Sequence, residues 1–343
     1  MFGGSGVIDR LGTMSRARDL HVAERIDLVR PLLGEDLAAV EAALQIPQQE
    51  RAIHLGAGQL LARGGKRLRP MCVALASKLG TGFDARALDL AVSAELVHNA
   101  TLLHDDVVDL GVSRRGAPTA RVVYGNAISI FAGDWLLIDA LRRVRRAAPP
   151  DVLERLFDVI DEMIVAESKQ LERRGRLEAS LEDWTAVAAG KTAALFRWAM
   201  YAGARAGALS IPDSQSLEKF GEHVGIAFQA IDDVLDLVGD PAATGKAPFA
   251  DLREGKGSLP IVLALRNDPS IEASLRAAAE GGLDDTTGAQ LAKRIAASGA
   301  VEQARRFADE HVARALDLLE PFPVSPARMA LVGIAHAMTQ REV

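Results

Sequence analysis

Cysteine is nearly absent from this chain of 343 residues, with Cys72 the only one. A single thiol excludes an internal disulfide and a thiolate-built metal centre within one copy, and it reads as a small core residue on the helix after Pro70. Aromatics are scarce as well, at 4% against 49% hydrophobic residues. Ala and Leu fill most apolar positions, a mixture that favours helices over sheets. No uninterrupted run of 18 apolar residues is present to span a bilayer. The opening MFGGSGVIDRLG lacks a charged stretch followed by an apolar one and does not read as a secretory signal. Excess positive charge is missing too: the net charge is −6 and the basic residues are dispersed, which argues against a nucleic-acid partner. The expectation is a protein of the reducing cytoplasm without a transmembrane segment.

What the chain does have is helical periodicity. Leu28, Val29, Leu32, Leu33, Leu37, Val40 and Leu44 recur at the spacing of one helix face. Further helices are predicted from Gln49 and over about 70–79, 85–110, 119–146, 151–172, 182–206, 213–238, 258–266, 286–297, 299–320 and 326–340. Pro149 and Pro150, a capping box from Ser180 to Asp183, and Pro212 mark their ends. No window alternates like a strand, so the fold class is all-α, a single-domain bundle over residues 19–343 behind a flexible segment 1–18. Gly221 and Gly225, one turn apart, predict close backbone packing, and Asp284 with Asp285 reads as a helix cap. The stretch 239–257 is long for a connection and reads as a lid or binding loop.

Two segments break local rules. In HNATLLHDDVVD (98–109), Asp105 and Asp109 stand one turn apart on one face with Asp106 beside them, at a helix C-terminus where negative charge opposes the dipole. FQAIDDVLDLVG repeats the device with Asp232, Asp233 and Asp236 before Gly239. Carboxylates about 6 Å apart repel by roughly 3 kcal/mol at an effective dielectric near 20, a conflict that divalent metal removes. Mg²⁺ suits such sparse clusters, because it takes one or two carboxylates and fills its other positions with water and phosphate oxygens. Across a cavity, two such clusters could serve one ligand.

Cations for a phosphate lie nearby in sequence. Lys66, Arg67 and Arg69 sit in GGKRLRP, and Arg114 and Arg115 in GVSRRGAPT, each bracketed by glycine. Lys191, inside an apolar helix, needs an anion or a route to solvent. Lys246 and Lys256 follow the second cluster. Gln229 shares a face with Asp232 and fits either a ligand contact or a core hydrogen bond.

Taken in order, GGKRLRP, LLHDDVVDLGVSRRGAPT, GKTAALF, FQAIDDVLD and DLREGKGSLP resemble the trans-type polyprenyl diphosphate synthases over residues 64 to about 260. The resemblance implies the isoprenoid-synthase helical bundle around a central cavity, a homodimer, and condensation of an allylic diphosphate with isopentenyl diphosphate. It implies catalytic roles for Asp105, Asp106, Asp109, Lys191 and Asp232, and magnesium, three ions per site, on Asp105, Asp109, Asp232, Asp233 and Asp236. Arg114, Lys191, Thr192, Gln229, Lys246 and Lys256 would meet the allylic diphosphate; Lys66, Arg69, His98 and Arg115 would meet isopentenyl diphosphate. His104 is expected to hydrogen-bond rather than to ligate.

A helical turn rises about 5.4 Å, close to one extended isoprene unit, so the residues one turn below Asp105 set how far a chain can grow. Ala100 and Thr101 are small, which resembles medium- or long-chain enzymes of six to ten units. Three alternatives stay open: a shorter, geranylgeranyl-type synthase, a class I terpene cyclase, and a non-catalytic subunit of a heteromeric synthase.

Overall fold

The computed structural model describes residues 20–46, 51–114, 116–175, 180–239, 249–253, 255–281 and 284–339. Among them, helix follows helix, and the sole sheet pairs Ser113–Arg114 with Ala117–Pro118, antiparallel, through a turn at Gly116 (φ 74°). The all-α expectation therefore holds, apart from this hairpin. Segment 1–18 lies outside the described residues.

Contacts group the chain into two compact units, where the sequence reads as one domain. One comprises the described residues of Met1–Phe157, Leu195–Gly221 and Leu318–Ile334, the other those of Asp158–Ala194, Glu222–Asp317 and Ala335–Val343. In the first, the helix Ala85–Val108 packs along the helix Asn126–Ala147. Leu96 on the first helix and Ala132, Leu136, Ala140 and Val144 on the second are buried. Ser129 Oγ donates to Leu103 O at 2.8 Å, tying the two helices together. Gly133 lets them approach, since a Cβ there would collide with the His104 ring.

The predicted helix 119–146 is broken. Gly125 adopts φ 87°, which separates Ala120–Tyr124 from Asn126–Ala147. The helix Leu68–Lys78 begins two residues before the predicted start, with Pro70 in its first turn, where no helical partner for an N–H is needed. Ile271–Gly281 is an additional helix, held by Ile271 and Leu275 one turn apart and too short to stand out by periodicity.

In the second unit, Gly225 leaves room for Ala193, and Gly190 fits against Ala166 and Glu162 O, where a Cβ would sit at 2.8 and 3.0 Å. The chain answers this last constraint with a π-helical turn, Ala189–Ala193, ahead of the helix Ala194–Ala206. The Ser180 and Asp183 capping box and the Asp284 cap both form as predicted. His223 and His311 meet Nδ1 to Nδ1 at 3.0 Å, so one ring donates and the other accepts. Burial, then His223 and Arg314, push the His311 pKa down to about 4, and burial with Arg314, against Glu222, lowers that of His223. Unfolded imidazoles bind protons near pH 6.5 while native His311 resists until about pH 4, so stability is lost as the pH falls between these values. His311→Asn is expected to flatten that slope by about 2 kcal/mol between pH 7 and 5, read from denaturant melts. An unaltered slope would exclude this origin.

Candidate active site

Each unit carries one acidic cluster. In the first, Asp84 caps the helix Ala85–Val108 through the backbone N–H groups of Arg86 and Ala87. The other end places Asp105 and Asp106 in the last turn and Asp109 at the C-cap. Leu110, at φ 54°, closes it, with Gly111 N donating to Asp106 O at 2.9 Å and Leu110 N to Val107 O at 3.4 Å. This is the hydrogen-bond pattern of a Schellman end, with leucine in the left-handed position that glycine prefers. Gly111 packs closely on the same aspartate: a Cβ there would sit 3.2 Å from Asp106 Oδ1, tighter than ordinary contact.

The three aspartates are not equivalent. Asp105 and Asp109 are partly exposed, whereas Asp106 is buried and accepts a 2.8 Å bond from Arg114 Nε. Burial raises the Asp106 pKa while Arg114 opposes the shift. Arg63, which the sequence reading passed over, holds the hairpin by donating to Arg114 O at 2.9 Å and Pro118 O at 3.1 Å. Asp106 thus orients the basic hairpin, and its neighbours on the helix keep the accessible oxygens. Arg115 lies outside the described residues.

In GGKRLRP, the three cations part company. Arg67 is buried, with Nη1 2.5 Å from Glu95 and Nε 2.7 Å from Glu41, and has nothing left for a phosphate; its reading as a phosphate partner is corrected to an anchor of the loop. Lys66 and Arg69 are partly exposed, and the Arg69 guanidinium lies 4.6 Å over the Phe196 ring. Arg69 Nε is buried without a hydrogen-bond partner, and burial lowers the pKa of the group against the charge of Glu95. His98 is partly exposed; its carbonyl accepts from Thr101 Oγ1 at 2.8 Å. His104 Nε2 lies 3.2 Å from both Ile130 O and Asp134 Oδ1, a hydrogen-bonding role. Ala100 is buried and Thr101 half-buried, so Thr101 has the more open side.

The second unit contains a cavity of about 120 Å³ lined by Lys191, Thr192, Gln229, Asp233 and Lys256, among others. Lys191 has the anion its burial calls for: Nζ is 2.5 Å from Glu167 Oε2 and 2.7 Å from Gln170 Oε1. Thr192 Oγ1 donates to Gln229 Oε1 at 2.6 Å, and Gln229 Nε2 to Asp233 Oδ1 at 2.7 Å. Asp233 Oδ2 accepts from Trp184 Nε1 and Leu259 N, both at 2.8 Å. Burial pushes the Asp233 pKa up to about 6 against these three donors. Asp232 and Asp236 are partly exposed, and Asp236 Oδ2 accepts from Asp251 N at 3.0 Å, anchoring the turn Ala250–Arg253. Lys246 lies outside the described residues.

Among the described residues, no three His, Cys, Asp or Glu side chains converge as a ready metal cage. Within one unit Asp105 and Asp109, and within the other Asp232 and Asp236, are partly exposed and offer hard oxygens in small number, which in each case fits magnesium completed by water and phosphate oxygens. Asp233 fits as support to Asp232 and Asp236, since protein donors already occupy both its oxygens.

A protein-family model described as Polyprenyl synthetase matches residues 51–295. Octaprenyl diphosphate synthase of Escherichia coli (strain K12) is 32% identical over 321 residues, 92% of this chain and 99% of that protein. Heptaprenyl diphosphate synthase component 2 of Geobacillus stearothermophilus is 34% identical over 315 residues, 90% and 97% of the two chains. Among solved structures, a polyprenyl synthase from Caulobacter crescentus CB15, complexed with calcium and isoprenyl diphosphate, superposes with a TM-score of 0.86 at 32% identity, covering 92% of this chain and 98% of that one. Sequence motifs, helical architecture and these likenesses agree: the chain belongs to the polyprenyl synthetase family.

Proposed function

We propose that the protein condenses an allylic diphosphate with isopentenyl diphosphate, head to tail, to give an all-trans polyprenyl diphosphate of about six to ten isoprene units. The observation that carries this reading is the cavity in which Lys191, Thr192, Gln229 and Lys256 share one wall system with the second acidic helix. Two lysines and a hydroxyl beside a buried carboxylate suit a diphosphate rather than an apolar ligand. Lys191, Thr192, Gln229, Lys246, Lys256 and Arg114 bind and orient the allylic diphosphate. Lys66, Arg69, His98 and Arg115 receive isopentenyl diphosphate. Asp105 and Asp109 would hold magnesium with Asp106 as their support, and Asp232 and Asp236 would do so with Asp233; three ions are expected per bound diphosphate. When bound, magnesium neutralises the charge that gathers on the departing diphosphate.

The allylic carbon–oxygen bond breaks, leaving a delocalised cation and free diphosphate. The isopentenyl double bond then attacks the cation, and the new cation loses a proton to the released diphosphate. The protein's part is electrostatic: preset cations meet charge where it develops, so no nucleophilic side chain is needed. The exposed apolar side chains Phe131 and Ile138, two turns apart on one face of the helix Asn126–Ala147, support a homodimer, because such a face asks for cover. Among the described residues no helix is long and apolar enough to cross a membrane.

The test is product sizing with purified protein of measured solution mass, Mg²⁺, isopentenyl diphosphate and a farnesyl or geranylgeranyl primer. Linear products of 30 to 50 carbons are expected; cyclic hydrocarbon would overturn the reading, and so would chains that stop at 20 carbons. The relative named component 2 favours one further reading, a subunit that turns over only with a second protein, and inactivity of the purified chain alone would select it. Thr101→Phe, at the more open of the two positions below Asp105, is expected to shorten the product by several units. Ala100→Phe has the same direction, but its ring must enter packed core and lowers stability by about 1–3 kcal/mol. An unchanged chromatographic profile for Thr101→Phe would remove the channel argument.

A further inference from the structure

The indole of Trp184 belongs to no motif, yet its only polar atom is spent on the second acidic cluster. We propose that Trp184 is a positioning residue for the allylic-diphosphate site, acting through Asp233; this rests on the prenyl-transfer reading of the cavity. The residue sits on the helix Leu181–Ala188 behind the Ser180 and Asp183 capping box and is 6% exposed. Its ring stands edge-on to Phe307, with centroids 5.7 Å apart at 82°. Packing alone would be met by phenylalanine. The indole N–H adds a donor, 2.8 Å from Asp233 Oδ2.

That oxygen takes a second donor, Leu259 N, two residues past Gly257 and three past Lys256. The other oxygen takes Gln229 Nε2, which turns Gln229 Oε1 toward Thr192. Three donors at 2.7–2.8 Å fix the carboxylate plane, and that plane dictates two parts of the cavity wall. One is the Thr192 and Gln229 pair; the other is the turn that brings in Lys256. Without the indole N–H, Asp233 Oδ2 keeps the donor Leu259 N, the carboxylate can rotate, and both walls loosen. The loss falls on binding of the diphosphate end, which Lys191 and Lys256 share, more than on bond breaking.

The experiment compares wild type, Trp184→Phe, Asp233→Asn, the double variant and Phe307→Leu. Elongation kinetics give kcat and the KM of each substrate, calorimetry gives the Kd of inorganic pyrophosphate with Mg²⁺, and thermal melts give stability. Trp184→Phe is expected to raise the allylic KM and the pyrophosphate Kd about ten-fold, the worth of one hydrogen bond to a charged group, with kcat within about three-fold of wild type. The isopentenyl diphosphate KM stays unchanged. The double variant is expected to be no worse than Asp233→Asn alone, because the indole acts only through that carboxylate. Phe307→Leu removes the ring contact and keeps the donor, so its KM stays near wild type even where its melting temperature drops. The proposal is overturned if the Trp184→Phe losses multiply with those of Asp233→Asn, if its KM and Kd do not move, or if Phe307→Leu reproduces its KM. Failure of wild type to elongate would defeat the prenyl-transfer reading instead, while the pyrophosphate Kd values would still decide the role of Trp184.

Discussion

Asp105→Asn is expected to lower the kcat of elongation by about 10²–10³-fold while leaving stability within about 1 kcal/mol of wild type. The substitution keeps size and shape, and it removes one charge from a helix end that already carries Asp106 and Asp109. Negative charge there opposes the helix dipole and repels its neighbour one turn away, so neutralising it relieves repulsion rather than creating a cavity. Asp106→Asn is the informative contrast. Asp106 is buried and held by Arg114, so its loss leaves a half-buried guanidinium without its carboxylate and is expected to show in the melting curve. Activity loss without unfolding at Asp105, and unfolding with activity loss at Asp106, would separate the two roles within one motif. Full activity of Asp105→Asn over a range of Mg²⁺ concentrations would sink the assignment of that residue.

How far the sequence could be read depended on whether a feature was local. Helical periodicity and caps are local, and the helices around both acidic clusters, the Ser180 box and the Asp284 cap followed from them. The glycines at 221 and 225 were legible because their spacing declares close packing: a Cβ at Gly221 would sit 2.6 Å from Phe196 O. Partnership is not local. Nothing in GGKRLRP says that Arg67 turns inward, because Glu41 and Glu95 lie 26 and 28 residues away. Arg63 and Trp184 were invisible for the same reason, their partners being 51 and 49 residues distant. Spacing sets Asp106 beside the pair Asp105 and Asp109, but the burial of Asp106 and Asp233 next to partly exposed neighbours depends on tertiary packing that the motif does not carry. The hairpin at Gly116 escaped because two-residue strands are too short to alternate.

Arg67→Met is expected to destabilise the fold by about 3–5 kcal/mol, the loss that follows when one member of a buried ion pair is removed. Arg67 is 2% exposed, Glu95 3%, and Glu41 is the less buried third member. A methionine fills the space of the arginine stem but leaves the Glu95 carboxylate in low dielectric without its cation. Adding Glu95→Leu is expected to return much of the loss, since replacing a buried pair by apolar groups of similar volume is close to neutral. Backbone strain is a separable part, because Arg67 adopts φ 50°, the left-handed region that glycine enters freely. Arg67→Gly relieves that strain by about 1 kcal/mol, yet it loses the same ion pairs and empties the space of a fully buried side chain, so it is expected to be less stable than Arg67→Met. Denaturant melts of the four proteins give the order directly. An order in which Arg67→Met matches wild type would mean that the buried cluster is idle. If the order holds, Lys66 and Arg69 owe their placement to a residue that meets no substrate, and the KM for isopentenyl diphosphate should rise in the Arg67→Met, Glu95→Leu pair even where stability has recovered.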